Sequence, residues 1–418
     1  MTLTAELAAR ALAPLTDGDG ERLRALTLTN VAAGLGELGR AGRLLDALPL
    51  DAGRPGDAAF LHAMRLHGRT QDDFHPGGRV HVGAVTLAAT LALSEPAGSR
   101  LLECLAAGYE AMCAVASVYS PDGQRRGYRP TGVFGPIGAA SAAAVAIGLD
   151  RDGVANAIGL AAARSGGTNQ SWISGTDEWL LEVGAAARAG VEAALFTEAG
   201  AIASIEAFEG AAGWARAYFG DAHPDRLAAA IARPGSYVAE VAVKPYPVSG
   251  IAQVPTDLGR RAHDELDGRR IGSVVVRLST AEVAYPGSAN SGPFRSRSDA
   301  LMSIGFCVAC ALTDGTVRLA RLESANDLAE LAAAVRVESD VALGESEAVL
   351  VLATEGDERE YAGEGGSLFY PEWDTLARDD AVVATRSEAD AALVGQVVEH
   401  LREPRPDARL LDAVLGPR

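Results

Sequence analysis

Few aromatic side chains, few cysteines and no surplus of positive charge mark this chain, and each shortage removes a class of protein. Aromatic residues make up only 5% of the 418 residues, although hydrophobic residues make up 48%. The interior is therefore built from Ala, Leu and Val. Side chains this small let helices approach closely, so the composition predicts a helix-rich protein. Cysteine is sparse: Cys104, Cys113, Cys307 and Cys310. The Cys307-Val308-Ala309-Cys310 pair has redox or metal spacing, but it lies in the apolar run Ile304 to Leu312 with no second pair and no nearby histidine. Both thiols read as small core residues on a helix. The formal charge is -18 and the isoelectric point about 4.9, with acids spread along the chain rather than gathered in tails. This excludes nucleic acid as the main partner, and a small anionic substrate then needs a local positive pocket. No window reads as a membrane span, since the alanine run Ala139 to Ala146 is short and broken by Ser141. Met1 to Ala13 carries Glu6 and no long apolar stretch, unlike a signal peptide, so the expectation is a cytoplasmic protein.

The length exceeds the usual single-domain size and predicts two domains. Apolar residues recur at helical spacing in Ala5 to Leu15, Arg22 to Leu38, Gly83 to Leu93, Ser99 to Val118, Ile137 to Gly148, Arg151 to Ala163, Leu181 to Ala199 and Pro224 to Ala232. Residues 1–241 thus read as a large helical domain. After Lys244-Pro245-Tyr246-Pro247 the pattern changes: Ile271 to Ser279 and Ala348 to Ala353 are strand-like, while Thr256 to Leu266, Ala300 to Leu312 and Asn326 to Ala334 are helix-like. Residues 242–370 are expected to form a smaller α/β domain. Helices in 371–418 are expected to pack back on the first domain.

Four segments carry candidate chemistry. Asp72-Asp73-Phe74-His75-Pro76-Gly77-Gly78-Arg79-Val80-His81 joins paired aspartates and two histidines on a Pro-Gly loop, after His62 and His67 on a predicted helix. Such loops before buried helices are where catalytic acids and bases sit. Arg125 to Gly138 brings Arg125, Arg126, Tyr128 and Arg129 to closely spaced glycines at the mouth of an apolar helix, a setting in which backbone and side-chain donors meet an anion. Thr168 to Glu182 is a polar loop leading into a helix and holds Trp172 and Trp179, two of the four tryptophans. Lys244 sits at the junction of the two modules, where partial burial suits a lysine to donate a proton or anchor a carboxylate.

Together the four segments resemble the MmgE/PrpD family, which includes 2-methylcitrate dehydratase, cis-aconitate decarboxylase and iminodisuccinate epimerase. The likeness is carried by Asp72-Asp73-Phe74-His75 with His81-Val82-Gly83, by Arg129-Pro130-Thr131-Gly132-Val133-Phe134-Gly135, by Gly184-Ala185-Ala186-Ala187-Arg188-Ala189-Gly190 and by Lys244-Pro245-Tyr246-Pro247. It implies a mainly α fold with a smaller α/β lid, a homodimer, an active site between the domains, no metal or organic cofactor, and a small carboxylate substrate that loses a proton next to a carboxylate. The family's usual Asp-Asp-Thr-His has Phe74 for its threonine here, and Val82 for the proline of His-Pro-Gly. Arg129 stands for a histidine, Trp179 and Glu182 for a lysine and a histidine, and Phe306 for an aromatic hydroxyl. Guanidinium does not give up its proton near neutral pH, so Arg129 grips a carboxylate rather than acting as a base.

The leading expectation is a cofactor-independent lyase, a dehydratase, in a specialised biosynthetic pathway. His75 or His81 is base or acid, Asp73 orients or charge-balances it, and Lys244 anchors a carboxylate or protonates the leaving group. Arg129 polarises the substrate, and Tyr128, Trp179, Phe74, Phe306 and Tyr246 shape its pocket. Two alternatives stand beside it: an isomerase or epimerase with Glu182 as a second acid/base group, and a catalytically silent binding protein on the same fold.

Overall fold

The computed structural model describes residues 2–220, 224–266 and 268–416. Its largest hydrophobic cluster is helical, and small residues set the distances between its helices. Glu178–Glu198 lies along Pro130–Ala146 and Pro55–His67, and Leu101–Arg125 covers another side of Pro130–Ala146. At Gly190 an added Cβ would fall on Ala139 and lie 2.5 Å from the Ala140 nitrogen; at Gly138 it would lie 2.8 Å from Met112 Cβ. On an exposed helix Gly→Ala stabilises by about 1 kcal/mol. Here Gly190→Ala is expected to destabilise by about 1–3 kcal/mol through overpacking, read as a lower urea midpoint at unchanged m-value.

Sequence periodicity starts the helix after Arg129 too late. The stretch 130–138 is not an open glycine loop but the first part of helix Pro130–Ala146, with Pro130 in its first turn and Arg129 at its N-cap. Pro136 lacks the N–H that would reach Gly132 O, and that carbonyl accepts instead from Gly166 N at 3.2 Å. The close approach is possible because Gly132 has no side chain: a Cβ there would meet Gly166 O. The docked strand of backbone also takes Arg129 N on Gly167 O at 3.1 Å, which fixes the start of the helix and the root of the Arg129 side chain.

The second hydrophobic cluster centres on a four-stranded sheet in the order β2-β1-β3-β4, formed by β1 Ile271–Leu278, β2 Val335–Ser339, β3 Glu347–Thr354 and β4 Asp357–Glu364. β1 runs parallel to β2 and antiparallel to β3, which pairs antiparallel with β4. Helices Gln253–Leu266 and Ile304–Asp314 pack together beside it, and the expected single helix Ala300 to Leu312 is two, divided at Ser303. Cys307 and Cys310 are buried there as free thiols. The C-terminal helices Ala391–Leu401 and Ala408–Leu415 place Val394, Leu401, Leu411 and Leu415 in the first cluster. Residues from the helical half, among them Met64, Phe74, Trp172 and Trp179, enter the second, so a seam runs between the two. One helical stretch, Ser94–Arg125, is long and apolar enough to cross a membrane by length and composition, and 89% of its most apolar window is buried in the protein.

Candidate active site

Two backbone segments cross the seam and build the site. Phe74 pairs antiparallel with Ala242, exchanging hydrogen bonds of 2.9 and 2.7 Å. The same register, carried two residues along, sets Asp72 opposite Lys244. Side chains alternate along extended backbone, so Asp72 and Phe74 turn to one side while Asp73 and His75 turn to the other.

The inner end of the site is a charged cluster. His67, last residue of helix Pro55–His67, lies with Nδ1 2.9 Å from Asp72 Oδ1, and Arg129 Nη2 lies 3.1 Å from His67 Nε2. Arginine only donates, so Nε2 accepts and Nδ1 carries the proton that it donates to Asp72. His81, at the N-cap of helix Val82–Leu91, has Nδ1 3.0 Å from Asp72 Oδ2 and 3.4 Å from Lys244 Nζ. Its backbone N donates to Thr131 Oγ1 at 3.1 Å. Lys244 Nζ is 3.5 Å from Asp72 Oδ1. Arg129 lies over the Trp172 ring at 5.1 Å, and Trp172 packs against Trp179, whose ring meets His67 edge-on.

Burial sets the charges. It pushes the His67 imidazolium down to about 4, against the pull of Asp72 and with Arg129 and Lys244 adding to it. Burial and Lys244 hold His81 well below the usual histidine range. Burial raises the Asp72 carboxyl, but His67, Lys244 and His81 outweigh it and keep the carboxylate ionised. Lys244 is lowered by burial and partly restored by Asp72. At neutral pH both histidines are therefore uncharged, and two cations, Lys244 and Arg129, face one carboxylate, Asp72. A second acid, Glu182, has Oε2 4.0 Å from Arg129 Nε. Arg129 Nε, fully buried, has no hydrogen-bond partner among the described residues.

This cluster ends a cavity that is partly open to solvent. His67, His81, Arg129 and Lys244 line it on one side, and Phe74, Trp172, Ile251, Leu301 and Met302 give it an apolar wall. Arg79, Glu282, Tyr285, Glu345 and Ser346 form its outer end.

Of the residues given site roles from the sequence, the structure brings His81, Lys244, Arg129 and Phe74 to the cavity, which Trp172 and His67 of the candidate segments also line. It places the others elsewhere. Asp73 faces the helical core: its Oδ1 accepts from Gly83 N at 2.7 Å, and Oδ2 accepts from Asn30 Nδ2 at 2.8 Å and from the Tyr109 hydroxyl. The carboxylate that touches the histidines is Asp72. His75 clamps its own turn, accepting from Gly78 N at 2.8 Å, with Nε2 3.3 Å from Glu240. Glu182 accepts from Thr168 N at 2.7 Å, and its other oxygen is 4.0 Å from Arg129 Nε. Trp179 stands behind His67 and donates to Ser298 Oγ at 2.8 Å. Tyr128 bridges to Thr168 and packs on Tyr218 and Phe219, Phe306 is buried against Phe294, and Tyr246 donates to Asp257 at 3.0 Å. His67 and Asp72 were not assigned roles from the sequence. One signal was available for Lys244: it is the only lysine among 37 basic residues.

His67, Asp72 and His81 also have metal-ligand spacing, their ligand atoms lying within 4.8 Å of one another. Both nitrogens of His67 are already committed, to Asp72 and Arg129, and Lys244 contacts Asp72 and His81. A divalent cation would compete with two resident cations, whereas an anion would complement them.

The MmgE/PrpD N-terminal domain matches residues 51–227 and the MmgE/PrpD C-terminal domain residues 246–362. The chain belongs to the MmgE/PrpD family. A curated relative, the cis-aconitate decarboxylase-like protein oryM of Aspergillus oryzae, is 28% identical over 166 residues. That match covers 37% of this chain and spans about a third of the relative, 34% of its length.

Proposed function

We propose that this protein is a lyase, a dehydratase acting on a small carboxylate by abstracting the proton next to the carboxylate and expelling a β-hydroxyl. Family membership and the cis-aconitate decarboxylase-like relative support lyase-type chemistry. The observation that carries the reading is the group of two neutral histidines, His67 and His81, the Asp72 carboxylate and the cations Lys244 and Arg129 at the cavity's inner end. Arg129 and Lys244 hold the substrate carboxylate, and charge-assisted contacts of this kind contribute about 1.5–3 kcal/mol each. His81 turns Nδ1 to Asp72 and Lys244, which leaves Nε2 to take the α-proton. The C–H electron pair moves toward the carboxylate, where the two cations stabilise the developing charge. It then forms the C=C bond as the β C–O bond breaks, and the leaving hydroxide takes a proton from the His81 imidazolium or the Lys244 ammonium to depart as water. Asp72 stabilises that imidazolium, the role first given to Asp73.

A panel of 2- and 3-hydroxycarboxylates, followed by the ultraviolet absorbance of the new double bond, tests the reading. His81→Ala is expected to lower kcat by about 10²–10⁴; full activity in that variant would sink the assignment. The pH profile follows from the charges. His81 acts neutral and its folded pKa lies well below 6.5, so kcat/KM is expected to be full at neutral pH, with its acid limb wholly below 6.5. Lys244 acts charged and is shifted below 10.5, so activity is lost as pH rises through that lowered value. An acid limb at or above 6.5 would contradict the placement of His81.

A further inference from the structure

We infer that the cavity is built for a monocarboxylate with an apolar body rather than for a di- or tricarboxylate, and that Glu345 enforces this choice. The inference rests on the carboxylate-holding role given above to Arg129 and Lys244. At the inner end those two cations already face Asp72 and, 4.0 Å from Arg129 Nε, Glu182, so the cluster has no cation to spare for a second substrate carboxylate. Only one other cation lines the cavity among the described residues, Arg79 at the outer end. It is already taken: Nη2 lies 2.8 Å from Glu345 Oε1 and Nη1 donates to Gln124 Oε1 at 2.6 Å.

The outer end also holds Glu282, buried and accepting from Ser279 Oγ at 2.6 Å and from Ser346 N at 3.0 Å. A second substrate carboxylate reaching that end meets one neutralised cation and two carboxyl groups. The apolar lining side chains Phe74, Trp172, Ile251, Leu301 and Met302 offer no charge to a second carboxylate. An ionised group left beside them loses its hydration without compensation, while methylenes gain by burial. The Arg79–Glu345 pair joins the two domains across the mouth, so Glu345 decides whether a free guanidinium is available to a longer diacid.

Isothermal titration of the full-length protein with hexanoate, adipate, citrate and butanoate tests this without turnover. Hexanoate and adipate have equal chain length and differ by one carboxylate. Hexanoate is expected to bind about tenfold or more tightly than adipate or citrate. It is expected to bind about fifteenfold more tightly than butanoate, at about fourfold per methylene. Glu345→Gln is expected to narrow the hexanoate–adipate gap several-fold by freeing Arg79, and Arg129→Met to abolish hexanoate binding. Adipate or citrate binding as tightly as hexanoate, or no binding of any of them, overturns the inference. An unchanged gap in Glu345→Gln overturns the role of Glu345. Selective hexanoate binding without turnover of any hydroxycarboxylate defeats the dehydratase reading and leaves this one standing.

Discussion

Asp72→Asn is expected to lower kcat by about 10³ while Asp73→Asn, one residue away, costs less than about tenfold. Asp72 is fully buried and in reach of His67 Nδ1, His81 Nδ1 and Lys244 Nζ at once. An amide of the same shape removes the one carboxylate that touches both histidines and Lys244, in a cluster that keeps two cations. It also offers donors where Lys244 already donates. The imidazolium formed at His81 during proton abstraction then has no counter-charge, so the penalty falls on the transition state. The same change breaks a buried charge pair, for which about 3–5 kcal/mol of stability is the usual cost. Steady-state kinetics and urea unfolding on both variants separate the two effects. Asp73 caps the turn at Gly83 and accepts from Asn30 and Tyr109. Burial pushes its carboxyl up to about 6 and its hydrogen bonds run to Gly83, Asn30 and Tyr109, so its conversion to an amide leaves the contacts of Asp72 with the histidines and Lys244 in place. Equal losses of activity in the two variants would mean that the alternation along residues 72–75 does not govern function.

Lys244→Met is expected to lower kcat/KM by about 10²–10⁴, and Lys244→Arg is not expected to restore it. The ammonium sits 3.5 Å from Asp72 Oδ1 and 3.4 Å from His81 Nδ1 in a fully buried position, a space for a compact charge rather than a planar fork. With the amine gone, Arg129 alone holds the carboxylate and the developing charge loses one of two stabilising groups, so KM rises and kcat falls together. A change confined to KM would restrict Lys244 to ground-state binding and remove it from proton transfer. Because the chain has no other lysine, any ε-amine chemistry reports on this residue alone.

The helices of the first domain and the change of pattern near Lys244 were legible because small apolar residues recur at regular spacing. β2 and β4 were not legible, and the reason is exposure. β4, Asp-Glu-Arg-Glu-Tyr-Ala-Gly-Glu, lies at the sheet edge with Tyr361 its only buried residue, so it shows no apolar alternation. The start of helix Pro130–Ala146 was hidden by Gly132, Gly135, Pro136 and Gly138, which ordinarily signal a loop. They are tolerated because Gly166 N satisfies the Gly132 carbonyl left free by Pro136, and because Gly166, Ala186 and Met112 occupy the space that side chains at 132, 135 and 138 would take.

In the candidate site, residue types were read more readily than directions. The pair Asp72-Asp73 announced buried acid chemistry, but which carboxylate faces the histidines depends on the pairing of Phe74 with Ala242, a contact 168 residues apart that no local pattern encodes. His67 was noted on a predicted helix and given no role. It enters the site because its helix ends against Asp72 and Arg129. Trp179, Phe306 and Tyr246 were expected at the pocket from their types, and packing uses them as supports behind it.

The claim at the centre of this account is that His81 removes a proton next to a carboxylate held by Arg129 and Lys244. It is tested most directly by incubating the protein with a 3-hydroxymonocarboxylate in deuterated water and following the α-position by mass spectrometry and the double bond by absorbance. The account predicts an unsaturated product formed by the wild-type protein, with deuterium washed into recovered substrate at a rate that collapses in His81→Ala. Elimination or exchange that continues at the wild-type rate in His81→Ala would contradict it.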